Sequence, residues 1–153
     1  MSNVSHHNML LFITTICAVL ALIYGLLAPF LTPPLINSAF EGGYFWSAVA
    51  NMFAAGLTVA YLYGTRGGKS RLTCFVFGIA LVAMATVLYG NLGMILDHAK
   101  KAEKYMPNDQ VGLFVGFQLF ALYAKDLVAL SFGAIGANLA ASSILERLPP
   151  RDG

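Results

Sequence analysis

The chain has 153 residues, of which 58% are hydrophobic and only 10% are charged, against about 25% charged residues in an ordinary soluble domain. This balance argues against a soluble fold, and the formal net charge of +2 is too small to indicate a nucleic-acid-binding protein. The two cysteines lie in apolar segments without CxxC spacing, so neither a disulfide framework nor a metal site is predicted. We expect a single domain over residues 1–153, with the lipid bilayer as its solvent and with no cofactor.

Four long apolar runs follow one another along the chain, and they predict helices at about 8–31, 44–64, 71–106 and 110–146. A helix of about 20 residues crosses a hydrocarbon core of roughly 30 Å, and each run is at least that long. The runs also lack the alternation of barrel strands. The first run is too long for the apolar core of a signal peptide, so we expect it to remain as a helix. The sequence predicts an all-α integral membrane protein with four transmembrane helices.

The orientation follows from the distribution of lysine and arginine between the two sides. With the N-terminus in the cytoplasm, five of these residues lie inside and three outside. The inner set is Arg66, Lys69, Arg71, Arg147 and Arg151, and the outer set is Lys100, Lys101 and Lys104. We therefore expect both termini to be cytoplasmic, in a plasma or inner membrane.

The third and fourth helices are predicted to form a long hairpin. After Leu96 the chain continues with helix-forming residues, and Asp97 and Lys101 have the spacing of a helical ion pair. The turn then falls at Pro107 and the residues after it, with Asn108 and Asp109 suited to a turn and a helix cap. Each helix would be roughly 54 Å long, which exceeds the hydrocarbon thickness. The tip of the hairpin is therefore expected to project beyond the bilayer.

Lys125 and Asp126 are the only charges between Val111 and Leu145. Charged residues within a membrane segment are costly and usually mark function. Two interpretations remain open: an interfacial pair whose lysine reaches towards the headgroups, or a buried ion pair or proton-handling site. A buried site could be closed by Asn91 and Tyr89, at the same height on the third helix, or by Gln118, on the same face of the fourth. The candidate polar site therefore comprises Lys125, Asp126, Asn91, Gln118 and Tyr89.

Small residues recur at four-residue spacing near the end of the fourth helix, a pattern that lets helices approach closely in lipid. The candidate helix-packing face is Gly133, Gly136, Ala137, Ala140 and Ala141. Its partner could be another helix of this chain or a helix of another chain. Polar residues that could add interhelical hydrogen bonds are Asn51, Asn91, Asn138, Ser142 and Ser143.

Nothing in the sequence indicates an enzyme. The three histidines lie outside the apolar runs, and no nucleophile elbow, phosphate loop or zinc-protease motif is present. A membrane enzyme would have Asp126 as its only candidate base. We expect a protein that acts by helix association in the bilayer, as an accessory subunit or an immunity-type binder, with a membrane protein or a second copy as partner. The alternative is a small transporter or channel that uses the candidate polar site.

Overall fold

The computed structural model describes residues 2–31, 43–64, 70–103 and 108–145. These residues form four α-helices, which are α1 (Ser2–Leu31), α2 (Gly43–Gly64), α3 (Arg71–Glu103) and α4 (Asn108–Leu145). All four are long and apolar enough to cross a membrane. The prediction of an all-helical chain with four apolar helices of membrane-spanning length is confirmed.

The start of α3 illustrates how local chemistry sets a helix boundary. The Thr73 backbone N–H donates to the Ser70 hydroxyl oxygen at 3.1 Å, and the Cys74 N–H donates to the Ser70 carbonyl oxygen at 3.2 Å. Ser70 thus serves as the N-cap, which satisfies donors that have no partner within the helix. The helix begins at Arg71 as a result.

Two helix boundaries differ from those expected. α1 begins at Ser2 instead of near residue 8, because a helix once formed grows by one hydrogen bond per residue and need not stop where the apolar run stops. α4 begins at Asn108, so Asn108 and Asp109 belong to its first turn. The predicted end of the third helix at residue 106 lies outside the described residues.

α3 is the central helix of the arrangement. α1 packs against α2 and α3, α2 packs against α3, and α4 packs almost entirely against α3. The buried side chains of Leu81, Met84 and Leu88, all on α3, form the middle of the core. The Tyr61 ring lies 5.5 Å from the Phe77 ring, and the Tyr44 ring lies 6.1 Å from the His98 ring, so α2 runs antiparallel to α3.

Candidate functional site

Lys125 and Asp126 point in different directions from α4, because consecutive helical residues are about 100° apart. The Lys125 side chain is only 11% exposed and turns towards α3, whereas the Asp126 side chain is 48% exposed. The Lys125 Nζ lies 4.1 Å from the centroid of the Tyr89 ring on α3, a distance at which the ring face attracts a cation. The Lys125 side chain therefore contacts α3, whereas the Asp126 side chain points away from α3.

The Lys125 ammonium has more hydrogen-bonding capacity than its surroundings use. Its Nζ lies 3.8 Å from Asp126 Oδ1, which is beyond hydrogen-bonding distance. An ammonium carries three donors, and the described part of the chain gives them no hydrogen-bond acceptor. Among the described residues, the charge of the mostly buried Lys125 side chain is therefore compensated by an ion pair with Asp126 and by the face of the Tyr89 ring.

Asn91 belongs to a different site. Its side chain is buried, and its Nδ2 donates to the Ser47 hydroxyl oxygen on α2 at 2.6 Å. Asn51, one turn after Ser47, donates from Nδ2 to the Ala21 carbonyl oxygen on α1 and to the Ser47 carbonyl oxygen, each at 2.9 Å. We call Ser47, Asn51 and Asn91 the asparagine cluster. It joins α1, α2 and α3, and the predicted interhelical hydrogen bonds of Asn51 and Asn91 are confirmed.

Gly25 allows α1 to approach this cluster. A Cβ atom at Gly25 would overlap the Val87 Cγ1 methyl group and would lie 3.2 Å from Asn51 Nδ2. The Asn51 Oδ1 atom is buried and has no hydrogen-bond partner among the described residues. Sequence reasoning missed Gly25 and Ser47, although the four-residue spacing of Ser47 and Asn51 in an apolar run was a visible signal.

The five residues of the predicted polar site therefore do not meet at one point. Lys125, Asp126 and Tyr89 lie together, while Asn91 is directed to α2. Gln118 is half-buried and lies seven residues before Lys125, on the same face of α4. Within the described ranges, no group of three or more acidic, histidine or cysteine side chains could hold a metal ion.

The predicted small-residue face divides into two rows with different surroundings. Gly136 and Ala140 lie against α3: a Cβ at Gly136 would come within 2.6 Å of the Gly78 carbonyl oxygen, and a Cβ at Gly78 within 2.8 Å of the Ala140 nitrogen. Gly133 is half-buried, and Ala137 and Ala141 are exposed. One row thus packs inside the chain, and the other remains largely uncovered by it.

Within the described part of the chain, Ser142 and Ser143 do not form the hydrogen bonds to another helix that their positions allowed. Both hydroxyl groups donate to the Leu139 carbonyl oxygen of α4 itself, at 3.1 and 2.7 Å. A serine in a helix can satisfy its hydroxyl on the preceding turn without any partner helix, which is why such residues predict interhelical contacts poorly. Asn138 is exposed on the same helix.

An open apolar groove of about 550 Å³ runs between α3 and α4. The Tyr89 ring, which the Lys125 ammonium contacts, forms one end of its lining. The α3 wall consists of Val82, Ala85, Thr86 and Tyr89, and the α4 wall of Ala129, Leu130, Gly133, Ala134 and Ala137. Because most of these side chains are small, the groove is shallow and its floor is close to the helix backbones.

Comparison with protein-family models, with curated proteins and with solved structures gave no match to this chain. The functional argument therefore rests on the residues and their arrangement.

Proposed function

We propose that the chain is an integral membrane protein that acts by association of its helices with a membrane partner, as an accessory subunit or an immunity-type binder. It would reside in a plasma or inner membrane with both termini in the cytoplasm. The α3–α4 hairpin would extend past the bilayer on the other side. The support comes from α4, which has an uncovered face that suits another helix.

The observation that carries the proposal is a stripe along α4 that the other described helices leave open. We call it the α4 seam, and its six positions alternate by four and three residues, the repeat of two helices that pack side by side. All are exposed except Gly133, which is half-buried, and Asp126, whose side chain is about half exposed. The seam consists of Leu119, Tyr123, Asp126, Leu130, Gly133 and Ala137.

The α4 seam differs from an ordinary lipid-facing surface. The exposed face of α1 carries large apolar side chains such as Phe12, Leu20 and Leu26, which suit lipid tails. The seam also has large side chains, Leu119, Tyr123 and Leu130, but it differs from that face of α1 by two small residues, Gly133 and Ala137, and by the carboxylate of Asp126. Small residues bring helices close together in lipid, and an acidic side chain near the hydrocarbon needs a polar partner.

The position of Tyr89 and Lys125 also supports membrane placement. Tyr89 lies eighteen residues after Arg71, or about 27 Å along α3, close to the roughly 30 Å thickness of a hydrocarbon core. The lysine would then lie at the outer boundary of the bilayer. The part of α4 before it, with Val115, Leu119 and Leu122 exposed, would extend into the headgroup region and beyond, where a partner would cover its apolar surface.

The transport alternative has less support. It requires the polar residues to line one pathway, yet Asn91 bonds to α2 while Lys125 lies over Tyr89. The observation in its favour is the low exposure of the Lys125 side chain.

The test uses two leucines with the same exposed fraction, 69%, on different helices. Leu130 lies in the α4 seam. Leu26 lies on α1 next to Gly25, and because Gly25 approaches Val87 of α3, Leu26 lies at a height similar to that of Leu130. A photo-crosslinking amino acid is placed at either position in the intact membrane. We expect a protein adduct of defined mass from position 130 and only lipid adducts from position 26. Protein adducts at neither position, or equally at both, would contradict the proposal.

A further inference from the structure

A second apolar groove, of about 310 Å³, lies between α1 and α3 near the end of the molecule at which both helices begin. We call it the α1–α3 groove. Leu11 and Thr73 line it, and fourteen residues later along each helix Gly25 lies against Val87. The two helices therefore run parallel, and the groove follows them in the same direction.

The lining of the α1–α3 groove suits a hydrocarbon chain. Its two hydroxyl groups are bonded within the protein, because Thr15 donates to the Leu11 carbonyl oxygen and Thr73 shares a hydrogen bond with the Ser70 hydroxyl, each at 2.7 Å. The other lining side chains are apolar, and on α3 they end at Ala80. From Leu72 to Ala80 the lining spans eight residues, or about 12 Å, close to half of a hydrocarbon core of roughly 30 Å. The groove thus has the depth of one lipid leaflet.

The end of the molecule at which this groove opens is predominantly basic. Arg71 directly precedes Leu72, the first α3 residue of the lining. α4 runs antiparallel to α3, since Ala140 lies against Gly78 and Lys125 over Tyr89, so the chain leaves α4 at this same end. In the sequence, the segments next to this end carry five basic and two acidic residues, which are Arg66, Lys69, Arg71, Arg147 and Arg151 against Glu146 and Asp152.

Depth and charge together indicate which occupant fits. A helix of a partner protein would cross both leaflets, whereas the α1–α3 groove ends at Ala80, near the middle of the hydrocarbon core. A phospholipid has one leaflet's length of acyl chain below its headgroup, and basic residues at a membrane surface attract acidic headgroups. The α3–α4 groove lacks this combination, because its α3 wall begins at Val82, about 17 Å along the helix from Arg71.

We propose that the α1–α3 groove binds one acyl chain of an acidic phospholipid from the leaflet on this side of the membrane, with Arg71 contacting its headgroup phosphate. The proposal requires the membrane placement of the proposed function, but it does not require association through the α4 seam. It assigns a ligand to a surface on the opposite side of α3 from that seam.

The first experiment measures the contact of a single tryptophan with brominated lipids, which quench its fluorescence. Trp46, the only tryptophan of the chain, is replaced by phenylalanine, and a tryptophan is introduced by Val76→Trp, in the groove, or by Ile13→Trp. Ile13 is the matched control, since both side chains are about half exposed and lie at nearly the same height. It lies two residues after Leu11, so it points to the opposite side of α1.

Each variant is reconstituted into phosphatidylcholine vesicles that contain a small fraction of brominated phosphatidylglycerol or, in a parallel set, of brominated phosphatidylcholine. One basic residue beside an acidic lipid contributes about fivefold in affinity. We therefore expect position 76 to reach half-maximal quenching with about fivefold less of the brominated acidic lipid than of the neutral one. Position 13 should respond equally to both.

The second experiment repeats the measurement at position 76 after removal of one positive charge. Arg71→Gln should abolish the preference for the acidic lipid. Lys100→Gln is the control, because Lys100 is an exposed basic residue near the other end of α3 and should leave the preference unchanged. A preference that survives Arg71→Gln would overturn the contact of Arg71 with the headgroup.

The remaining outcomes separate this proposal from the proposed function. If both positions are quenched equally by both lipids, or if both prefer the acidic lipid, the groove site is overturned while membrane placement stands. If position 13 is quenched and position 76 is not, a protein segment covers the groove and the lipid is overturned. If neither position is quenched by either lipid, the membrane placement and the groove site are both overturned.

Discussion

The contacts of α3 with α1 and α2 differ in kind from its contact with α4. On one side the helices are joined by the asparagine cluster, where side-chain amides donate across the interfaces to a hydroxyl group and a carbonyl group. On the other side Gly78 and Gly136 bring two backbones together, with the Cβ atoms of Leu81 and Ala140 beside them. In a membrane, where helices gain little from the hydrophobic effect on packing together, both kinds of contact would meet the same requirement.

Each of these two contacts of α3 includes a glycine, Gly25 of α1 or Gly136 of α4. The atoms nearest to that glycine explain how the two contacts differ. Gly25 faces the Val87 and Asn51 side chains, which can change position at some cost. Gly136 faces the Gly78 carbonyl oxygen and the Val82 nitrogen, which cannot move unless the helix moves. The backbone contact at Gly136 should therefore tolerate an added methyl group less well than the side-chain contact at Gly25. Substitutions at the two glycines can test this difference.

The largest effect is expected from Gly136→Ala, because its new methyl group would collide with the α3 backbone. Overpacking typically costs about 1–3 kcal/mol and occasionally more, and we expect about 3 kcal/mol here. The measurement is the free energy of unfolding in mixed detergent micelles, followed by circular dichroism. Gly93→Ala is the matched control, since a Cβ there meets nothing within 4 Å. Equal stability of the two variants would contradict the close backbone contact.

Gly25→Ala should have an intermediate effect, of about 2 kcal/mol, because its methyl group would displace the Val87 side chain and press on Asn51. The double variant Gly25→Ala/Val87→Ala should recover part of the loss, since it removes the side chain that the new methyl group overlaps. Gly56→Ala, which has open space around it, serves as the control. A double variant less stable than Gly25→Ala alone would show that the strain does not lie at Val87.

Loss of the hydrogen bond between Asn91 and Ser47 is expected to cost less. Side-chain hydrogen bonds between membrane helices average about 0.6 kcal/mol and reach about 1.7 kcal/mol. The short Nδ2–Oγ distance and the burial of both residues place this bond in the upper half of that range. A double-mutant cycle of Asn91→Ala and Ser47→Ala should give a coupling free energy of about 1 kcal/mol. A coupling near zero would mean that the asparagine cluster does not hold the helices together.

The smallest effect is expected for the contact between Lys125 and Tyr89 within one chain. Cation–π pairs contribute about 0.5–1 kcal/mol where water has access, so a cycle of Lys125→Met and Tyr89→Leu should couple by that amount in monomeric protein in detergent. Asp126→Asn should change stability by less than about 1 kcal/mol, since its side chain is half exposed and 3.8 Å from the lysine. A loss of about 3–5 kcal/mol would instead indicate a buried ion pair.

The sequence predicted the helical fold well because apolar runs of membrane-spanning length leave few alternatives. It also identified Asn51, Asn91 and the small residues of α4 as contact residues. It could not say which neighbour each one meets, because the direction of a side chain depends on how the helices are rotated against each other. The sequence predicts that Asn91 lies level with Lys125, which agrees with the contact of Lys125 with Tyr89, but it does not predict that the Asn91 side chain bonds to Ser47 on α2.

Gly25 is a second residue whose contact with a neighbouring helix the sequence did not predict. A glycine in an apolar run is not recognised as a contact residue until a neighbouring helix is known to touch it. Gly136 and Ala140 could be recognised because they form a spaced pattern on one helix. Gly25 belongs to such a pattern too, since Ala18, Ala21 and Ala28 lie at three- and four-residue spacing on the same buried face of α1, and this signal was overlooked.

The central position of α3 also bears on how the chain can assemble during synthesis. The contact of Asn51 with the Ala21 carbonyl group needs only α1 and α2, so the first two helices can pair before α3 is made. The main contacts then join each helix to the one made before it, which keeps the sequence separation of contacts short and favours rapid folding. Of the described helices, α4 is made after α3 and packs almost entirely against it, so the other face of α4 stays open while these helices assemble.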